Sequence, residues 1–219
     1  MRPFQLAYFI IHAIIHPMTN KKVLYFIQQA GSLLLMPRTH KRTLGTTFDT
    51  VASHSFHVAI LAYTIARMEK LSSQQALEAM AMGLLHDLSE ARTGDMDFPA
   101  RMYTTVDESR AVKDQFAGIS FGSDLENLII EYETRKTEVS QCAKDADSLQ
   151  QFYLEWVLTW QGNKIAEKWY KNDLKIRIPG MFTKSAKKLA RLIKSSSPQE
   201  WWVEFVNADK IIRKSYGRG

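Results

Sequence analysis

Two histidines and two aspartates stand where a featureless helix would not place them. His54 lies in the middle of a strongly apolar segment, and His86 and Asp87 adjoin each other just after the run Met80, Met82, Leu84, Leu85. Asp147 lies within Lys144-Asp145-Ala146-Asp147-Ser148-Leu149. A buried carboxylate is costly unless it is paired or bound to a metal. Histidine and aspartate from three helices, converging in a bundle core, make a nitrogen–oxygen site for one divalent ion such as Mn²⁺, Co²⁺, Zn²⁺, Fe²⁺ or Mg²⁺. Four such donors leave positions open for water and substrate oxygens, which is what metal-assisted hydrolysis needs. Adjacent helical side chains point about 100° apart, so His86 and Asp87 reach one ion only over the helix edge between them. His57 shares a face with His54, and Asp145 stands near Asp147, so residue type alone leaves both as competing donors.

The elements that must position these groups read as helices nearly throughout. Apolar residues at Val51, Phe56, Val58, Ala59, Leu61, Ala62, Ile65 and Ala66 form a broad stripe over 51–70 at helical spacing. Ser72 or Ser73 caps the next helix, which carries Ala76, Ala79, Met80, Met82, Leu84 and Leu85 up to His86. Residues 91–106, with Thr93-Gly94-Asp95 and Pro99, read as a loop. Helices are predicted over 125–132 and 139–160, then over about 184–194 behind a Thr183 cap, and over 201–213 after Pro198. No alternating run flanked by turn signals appears, and there is no internal repeat. The reading is an all-α bundle of eight or more helices.

Composition narrows the class further. The 219 residues are 45% hydrophobic and 24% charged, with 10 Gly and 6 Pro, which fits a globular chain and excludes fibrous or low-complexity ones. A single cysteine excludes a disulfide scaffold and any Cys-based metal cage. The net charge of +6 is uneven: residues 1–160 carry 15 Lys and Arg against 18 Asp and Glu, residues 161–219 carry 14 against 5. The basic quarter can face nucleic acid or phosphorylated substrates. Its charges are spread among apolar residues, so a solvated helical face is the simpler reading and a nucleic-acid partner is not expected. Trp201, Trp202, Phe205 and Ile211 predict that this quarter packs on the main body. Phe4–Ile15 is apolar but shorter than the ~20 residues of a membrane span, and no small-residue cleavage site follows Arg2. Residues 1–17 are therefore expected to be a surface helix or an upstream extension ahead of Met18, with a core over 18–160 and a basic helical part over 161–219. No membrane partner is expected, and the cytoplasm is the expected compartment.

Taken together, Ser53-His54-Ser55, His86-Asp87-Leu88-Ser89-Glu90, Thr93-Gly94-Asp95 and Ala146-Asp147-Ser148-Leu149 resemble the signature of the HD superfamily of metal-dependent phosphohydrolases, His…His-Asp…Asp across an all-α bundle. The order and spacing are most similar to its YfbR-like 5′-deoxynucleotidase branch, over roughly residues 30–160. The resemblance implies His54, His86, Asp87 and Asp147 as metal ligands, in preference to His57 and Asp145. It implies Glu90 as the carboxylate that orients or deprotonates the attacking water, a role that suits a carboxylate beside a metal site. Glu90 falls four residues after His86, on the same face if the helix continues. Asp95 is implied as a second catalytic carboxylate, aimed inward by the turn that Gly94 permits. Leu35-Met36-Pro37-Arg38-Thr39 resembles the element whose Arg grips phosphate, which makes Arg38 the phosphate contact, with Lys41 and Arg42 as neighbouring alternatives.

The resemblance implies a homodimer acting on a small-molecule nucleotide. It also has departures. Ser53 stands where the branch carries Glu, and Asp49 where a second Glu is common. Thr39 replaces the Trp that packs near the sugar in the deoxynucleotidase, which leaves deoxyribose selectivity open and makes Thr39 a candidate sugar contact. The expected activity is removal of the 5′-phosphate from (deoxy)nucleoside monophosphates. The alternatives are a phosphodiesterase or nucleotide polyphosphate hydrolase of the same fold, and a non-catalytic helical module with a structural metal and a nucleic-acid-binding tail.

Overall fold

The helix that carries His54 begins where its own sequence caps it. The Thr50 hydroxyl accepts the backbone N–H of Ser53, and the Ser53 hydroxyl accepts that of Thr50, so two otherwise unpaired donors are satisfied at once. The same reciprocal box, built from Ser72 and Gln75, starts the helix leading to His86, and one built from Thr137 and Ser140 starts the helix carrying Asp147. The structure, a computed structural model, describes residues 20–46 and 49–205. In chain order the helices are α1 (residues 20–32), α2 (Lys41–Leu44), α3 (Val51–Met68), α4 (Ser73–Leu85), α5 (Glu90–Thr93), α6 (Phe98–Arg101) and α7 (Glu108–Phe116). They continue as α8 (Gly122–Thr134), α9 (Glu138–Trp160), α10 (Lys164–Asp173), α11 (Arg177–Gly180), α12 (Lys184–Ser195) and α13 (Glu200–Phe205). The expected all-α fold is what forms. Among the described residues there is no strand, only one isolated antiparallel bridge between Pro37 and Thr50.

The centre of the bundle is α3, α4 and α9, each packed on the other two. Ala62, Ala66, Ala76, Ala79, Ala143 and Ala146 are all buried there, and their small side chains let the backbones approach while Ile65, Met82, Leu149 and Phe152 fill the spaces between. The closest approach is at Gly83. A Cβ on Gly83 would meet the Ala59 Cα and N and the Val58 carbonyl carbon, each at 3.2 Å, so α4 lies so close to α3 that a methyl group there would push the two backbones apart by a few tenths of an ångström. His86 is one turn further on, and it is the cap residue of α4.

The basic quarter contributes to this core. α12 buries Ser185, Ala186 and Ala190 against α9 and α3 and leaves Lys184, Lys188, Arg191 and Lys194 exposed. Asp145 holds it in place, accepting the backbone N–H of Phe182 at 2.9 Å and both the N–H and the hydroxyl of Thr183 at 2.7 Å.

Three details differ from the sequence reading. The expected loop over 91–106 contains α5 and α6, the latter capped by Asp97 and carrying Pro99 in its first turn. The Trp201 and Trp202 side chains, expected to be buried, are 63% and 57% exposed, because α13 follows the Ser195–Pro198 linker and carries them outward. The expectations for residues 1–17, for Phe205 as a core side chain and for Ile211 lie outside the described residues. No helix among the described residues is long and apolar enough to cross a membrane.

At the far end of α9, Glu155 is 1% exposed and Asp173 of α10 is 5% exposed. Gln151 donates to Glu155 Oε1 at 2.9 Å, Glu155 Oε2 has no hydrogen-bond partner, and Arg177 Nε pairs with Asp173 Oδ2 at 2.6 Å. Burial, and then the charge of Asp173, push the Glu155 carboxyl up to about 8. The folded protein therefore keeps a proton that the unfolded chain, with a carboxyl near ~4.3, has released. Stability must fall as pH rises between those two values. Thermal melts of Glu155→Gln are expected to show a flatter pH dependence, with the variant gaining on the wild type from pH 5 to pH 8. Parallel curves would refute this assignment of the proton.

Candidate metal centre and active-site cavity

His54 and His86 turn their Nε2 atoms toward each other, 3.3 Å apart. Each ring is held from behind. His86 Nδ1 donates to the Gly83 carbonyl at 2.9 Å, and His54 Nδ1 lies 2.6 Å from Gln150 Oε1. A ring whose Nδ1 carries the donated proton presents a lone pair at Nε2 in its neutral form, so the two inward nitrogens are both acceptors. Asp147 Oδ1 lies 3.3 Å from His54 Nε2 and 3.9 Å from His86 Nε2. Asp87 Oδ2 lies 3.5 Å and 3.2 Å from the same two nitrogens. The structure thus brings together the four residues the sequence singled out, from α3, from the end of α4 and from α9.

The second oxygen of Asp147 is also engaged: Oδ2 takes a hydrogen bond from Tyr132 at 3.1 Å and pairs with Lys144 Nζ at 2.7 Å. Burial opposes ionisation of Asp147, but bonding to His54 and the charges of Lys144 and His86 hold it well below the ordinary carboxylate range. Burial likewise opposes a charge on His86, yet Asp87 and Asp147 push its imidazole up to about 9. Two imidazole nitrogens facing each other between two carboxylates call for a positive charge, supplied by a proton on His86 or, in its place, by a bound cation.

His54, His86 and Asp147 each offer a donor within 4.8 Å of one another, the arrangement of a metal site. Two nitrogens bound to one ion at ~2.1 Å stand roughly 3.0–3.4 Å apart for ordinary coordination angles, and the observed 3.3 Å fits a first-row divalent cation. The competing donors are occupied elsewhere. His57 packs edge-on against Tyr153, and Asp145 serves the start of α12.

The carboxylates and the arginine implied for phosphate chemistry line the same cavity. The bridge between Pro37 and Thr50, with Arg38 N–H donating to the Asp49 carbonyl at 3.1 Å, pins the 37–39 segment beside the start of α3. Arg38 Nη1 then reaches Asp87 Oδ2 at 2.9 Å and Glu90 Oε2 at 4.0 Å, and Arg38 Nε reaches Asp95 Oδ2 at 3.8 Å. Helix α4 stops at Leu85, and turns over 86–89 lead into α5, so Glu90 arrives on a new helix rather than on the old one. Its Oε2 is buried without a hydrogen-bond partner. Burial and the neighbouring Asp87 and Asp95 raise the Glu90 carboxyl to about 9. Gly94 has φ +77°, which a Cβ would disfavour, and beyond it Asp95 Oδ2 accepts the Thr39 backbone N–H at 2.7 Å. Asp95 therefore spans the cavity wall instead of closing a local turn.

Sequence reasoning missed several parts of the site. Gln150, Tyr132, Lys144 and the Gly83 carbonyl all buttress the donors. Ser53 and Asp49, where the sequence departs from the deoxynucleotidase pattern, do different work from metal support. Ser53 caps α3, and Asp49 Oδ2 bonds His40 Nε2 at 2.7 Å. The basic residues Lys184, Lys187, Lys188 and Arg191 do not line the cavity; Trp169 and Arg177 do.

An all-α bundle in which His86, Asp87 and Asp147 line an open cavity of about 560 Å³, with His54 packed against them, defines a helical protein with a candidate cation site. The chain belongs to the HD domain family, whose model matches residues 30–193. Among solved structures, a structural-genomics protein is 28% identical over 83% of this chain and 99% of its own, with a TM-score of 0.65. A conserved hypothetical protein from Pyrococcus furiosus is 22% identical over 78% of this chain and 98% of its own, also with a TM-score of 0.65. A predicted metal-dependent phosphohydrolase from Magnetospirillum magnetotacticum MS-1 is 22% identical over 81% of this chain and 91% of its own, with a TM-score of 0.57. No curated protein matches the chain at a significant level.

Proposed function

We propose that this protein is a metal-dependent phosphohydrolase that removes the 5′-phosphate from nucleoside monophosphates, in the manner of the 5′-deoxynucleotidase branch that its motifs resemble. Membership of the HD domain family and a structural neighbour named as a predicted metal-dependent phosphohydrolase support the hydrolase class. The observation that carries the reading is the placement, in one cavity, of a cation site, a guanidinium and a buried carboxylate with a free oxygen.

His54, His86, Asp87 and Asp147 would hold the ion. When bound, it supplies Lewis-acid charge that neutralises phosphate and acidifies a water. Arg38 pairs with the phosphate oxygens, for which a guanidinium fork is suited. Glu90 Oε2 would take the proton from the attacking water, since the positive charge of a bound ion beside Asp87 would offset the burial and the neighbouring carboxylates that otherwise keep Glu90 protonated. In-line attack would form the new bond from the water oxygen to phosphorus and break the bond between phosphorus and the 5′-oxygen; the leaving oxygen takes up a proton from water, Glu90 gives its proton back to water, and the products are inorganic phosphate and a nucleoside. Asp95 holds the Thr39 backbone and steadies Arg38 through its Nε, so the phosphate contact is set before substrate arrives. Thr39 lines the cavity in place of a bulky aromatic, and the reading carries no barrier to a ribose hydroxyl there. The homodimer and the cytoplasmic setting belong to this reading too.

The test is phosphate release from metal-stripped protein after adding back Mn²⁺, Co²⁺, Zn²⁺ or Mg²⁺, with matched ribo- and deoxyribonucleoside 5′-monophosphates. Metal-dependent release is expected, with a ribo-to-deoxy ratio near one. Absence of release from every monophosphate, with metal bound, would refute the nucleotidase and direct the search to diesters and polyphosphates.

A further inference from the structure

Two nearly fully buried carboxylates, Glu155 and Asp173, take no part in the chemistry above, and the protein bears the cost of burying them. Asp173 Oδ2 forms an ion pair with Arg177 Nε at 2.6 Å, and among the described residues no hydrogen bond occupies the terminal nitrogens of Arg177, whose side chain is 42% exposed and lines the cavity. Gln151, which bonds Glu155, lines the same cavity.

The positions along α9 show how this corner relates to the cation site. Asp147, Gln151 and Glu155 follow one another at intervals of four on one helix face, about 6 Å apart along the axis. Asp147 and Gln151 both line the cavity, which therefore extends at least one turn of α9 beyond the metal donors toward the buried Glu155. Trp169 of α10 lines the same cavity. Its ring is braced by Leu44, Leu154, Leu158 and Ala166, and α10 is tied to α2 by Asn163 donating to the Leu44 carbonyl at 2.7 Å.

We propose that Trp169 and Arg177 form the subsite for the base of the leaving nucleoside, Trp169 as its stacking platform and Arg177 as the donor to its acceptor edge. The proposal rests on the nucleotide reading above. A braced indole offers any base a π face, and a guanidinium pinned at Nε offers two parallel N–H donors. A simple alkyl phosphate has nothing to place on either. Asp173 is then a positioning residue for Arg177, which gives its burial a purpose.

The test compares deoxyadenosine 5′-monophosphate with ethyl phosphate, two monoesters with alkoxide leaving groups, in wild type, Trp169→Leu and Arg177→Ala. Calorimetry of deoxyadenosine binding is read alongside, and Trp169→Phe serves as the variant that keeps a platform. The kcat/KM ratio of nucleotide over ethyl phosphate is expected to fall about 5-fold or more in Trp169→Leu and in Arg177→Ala, and to be largely restored in Trp169→Phe. Deoxyadenosine should bind the wild type more tightly than Trp169→Leu. Equal losses on both substrates, or an unchanged ratio, would overturn the subsite. Absence of turnover by the wild type would instead refute the phosphatase reading, and calorimetry would still decide the subsite.

Discussion

Glu90→Gln is expected to lower turnover about 10²–10⁴-fold while the protein keeps its metal, the range for loss of a positioned proton acceptor. The substitution is nearly isosteric and removes only the ability to take a proton. Glu90 sits beside the donors without joining their cluster, and its Oε2 faces Arg38 at 4.0 Å with no hydrogen bond of its own. An amide there leaves Arg38 and Asp95 in place. The measurement is kcat for phosphate release together with metal content per chain. Turnover within tenfold of wild type, with the ion retained, would show that some other group accepts the proton.

Asp147→Asn should weaken metal binding by more than about 100-fold. Removing a residue that merely supports a ligand costs about 10–100-fold, and Asp147 is placed to contact the ion itself. Its carboxylate is the cluster's link to α9, with Oδ1 at 3.3 Å from His54 and Oδ2 engaged by Lys144 and Tyr132. The loss is read by metal titration against a chromophoric chelator, with circular dichroism confirming the fold. His57→Ala, which removes a ring packed on Tyr153, should leave the affinity within about twofold. Similar losses from both variants would mean that the cluster is a structural network and not a metal site.

Much of this arrangement was legible in the sequence, and the reasons differ by residue. The long helices announced themselves through apolar spacing and through the caps Ser72 and Thr183, because those signals are local. The short helices α5 and α6 did not, since four residues carry too little periodicity to be told from a loop. His54, His86, Asp87 and Asp147 were found as a motif, but periodicity could not separate His54 from His57, which lie on one face of one helix. The motif resemblance chose His54, and the structure places His54 in the donor cluster and packs His57 against Tyr153. Gln150 touches His54 across 96 positions of sequence, and no local pattern marks such a partner. The misjudged tryptophans show the reverse error. An aromatic residue was read as a core residue, although Trp201 and Trp202 sit on a short helix beyond a serine-rich linker.

The contact at Gly83 has a consequence beyond packing. A missing methyl group lets α4 lie against α3, and the same residue's carbonyl orients His86 toward His54. The span between the two imidazoles is thereby set by backbone against backbone, which yields far less than side chains do. Ions of different radius need different spans, so a residue outside the coordination sphere bears on the fit of any ion held there. Gly83→Ala would add one carbon atom at the helix crossing and leave every donor untouched.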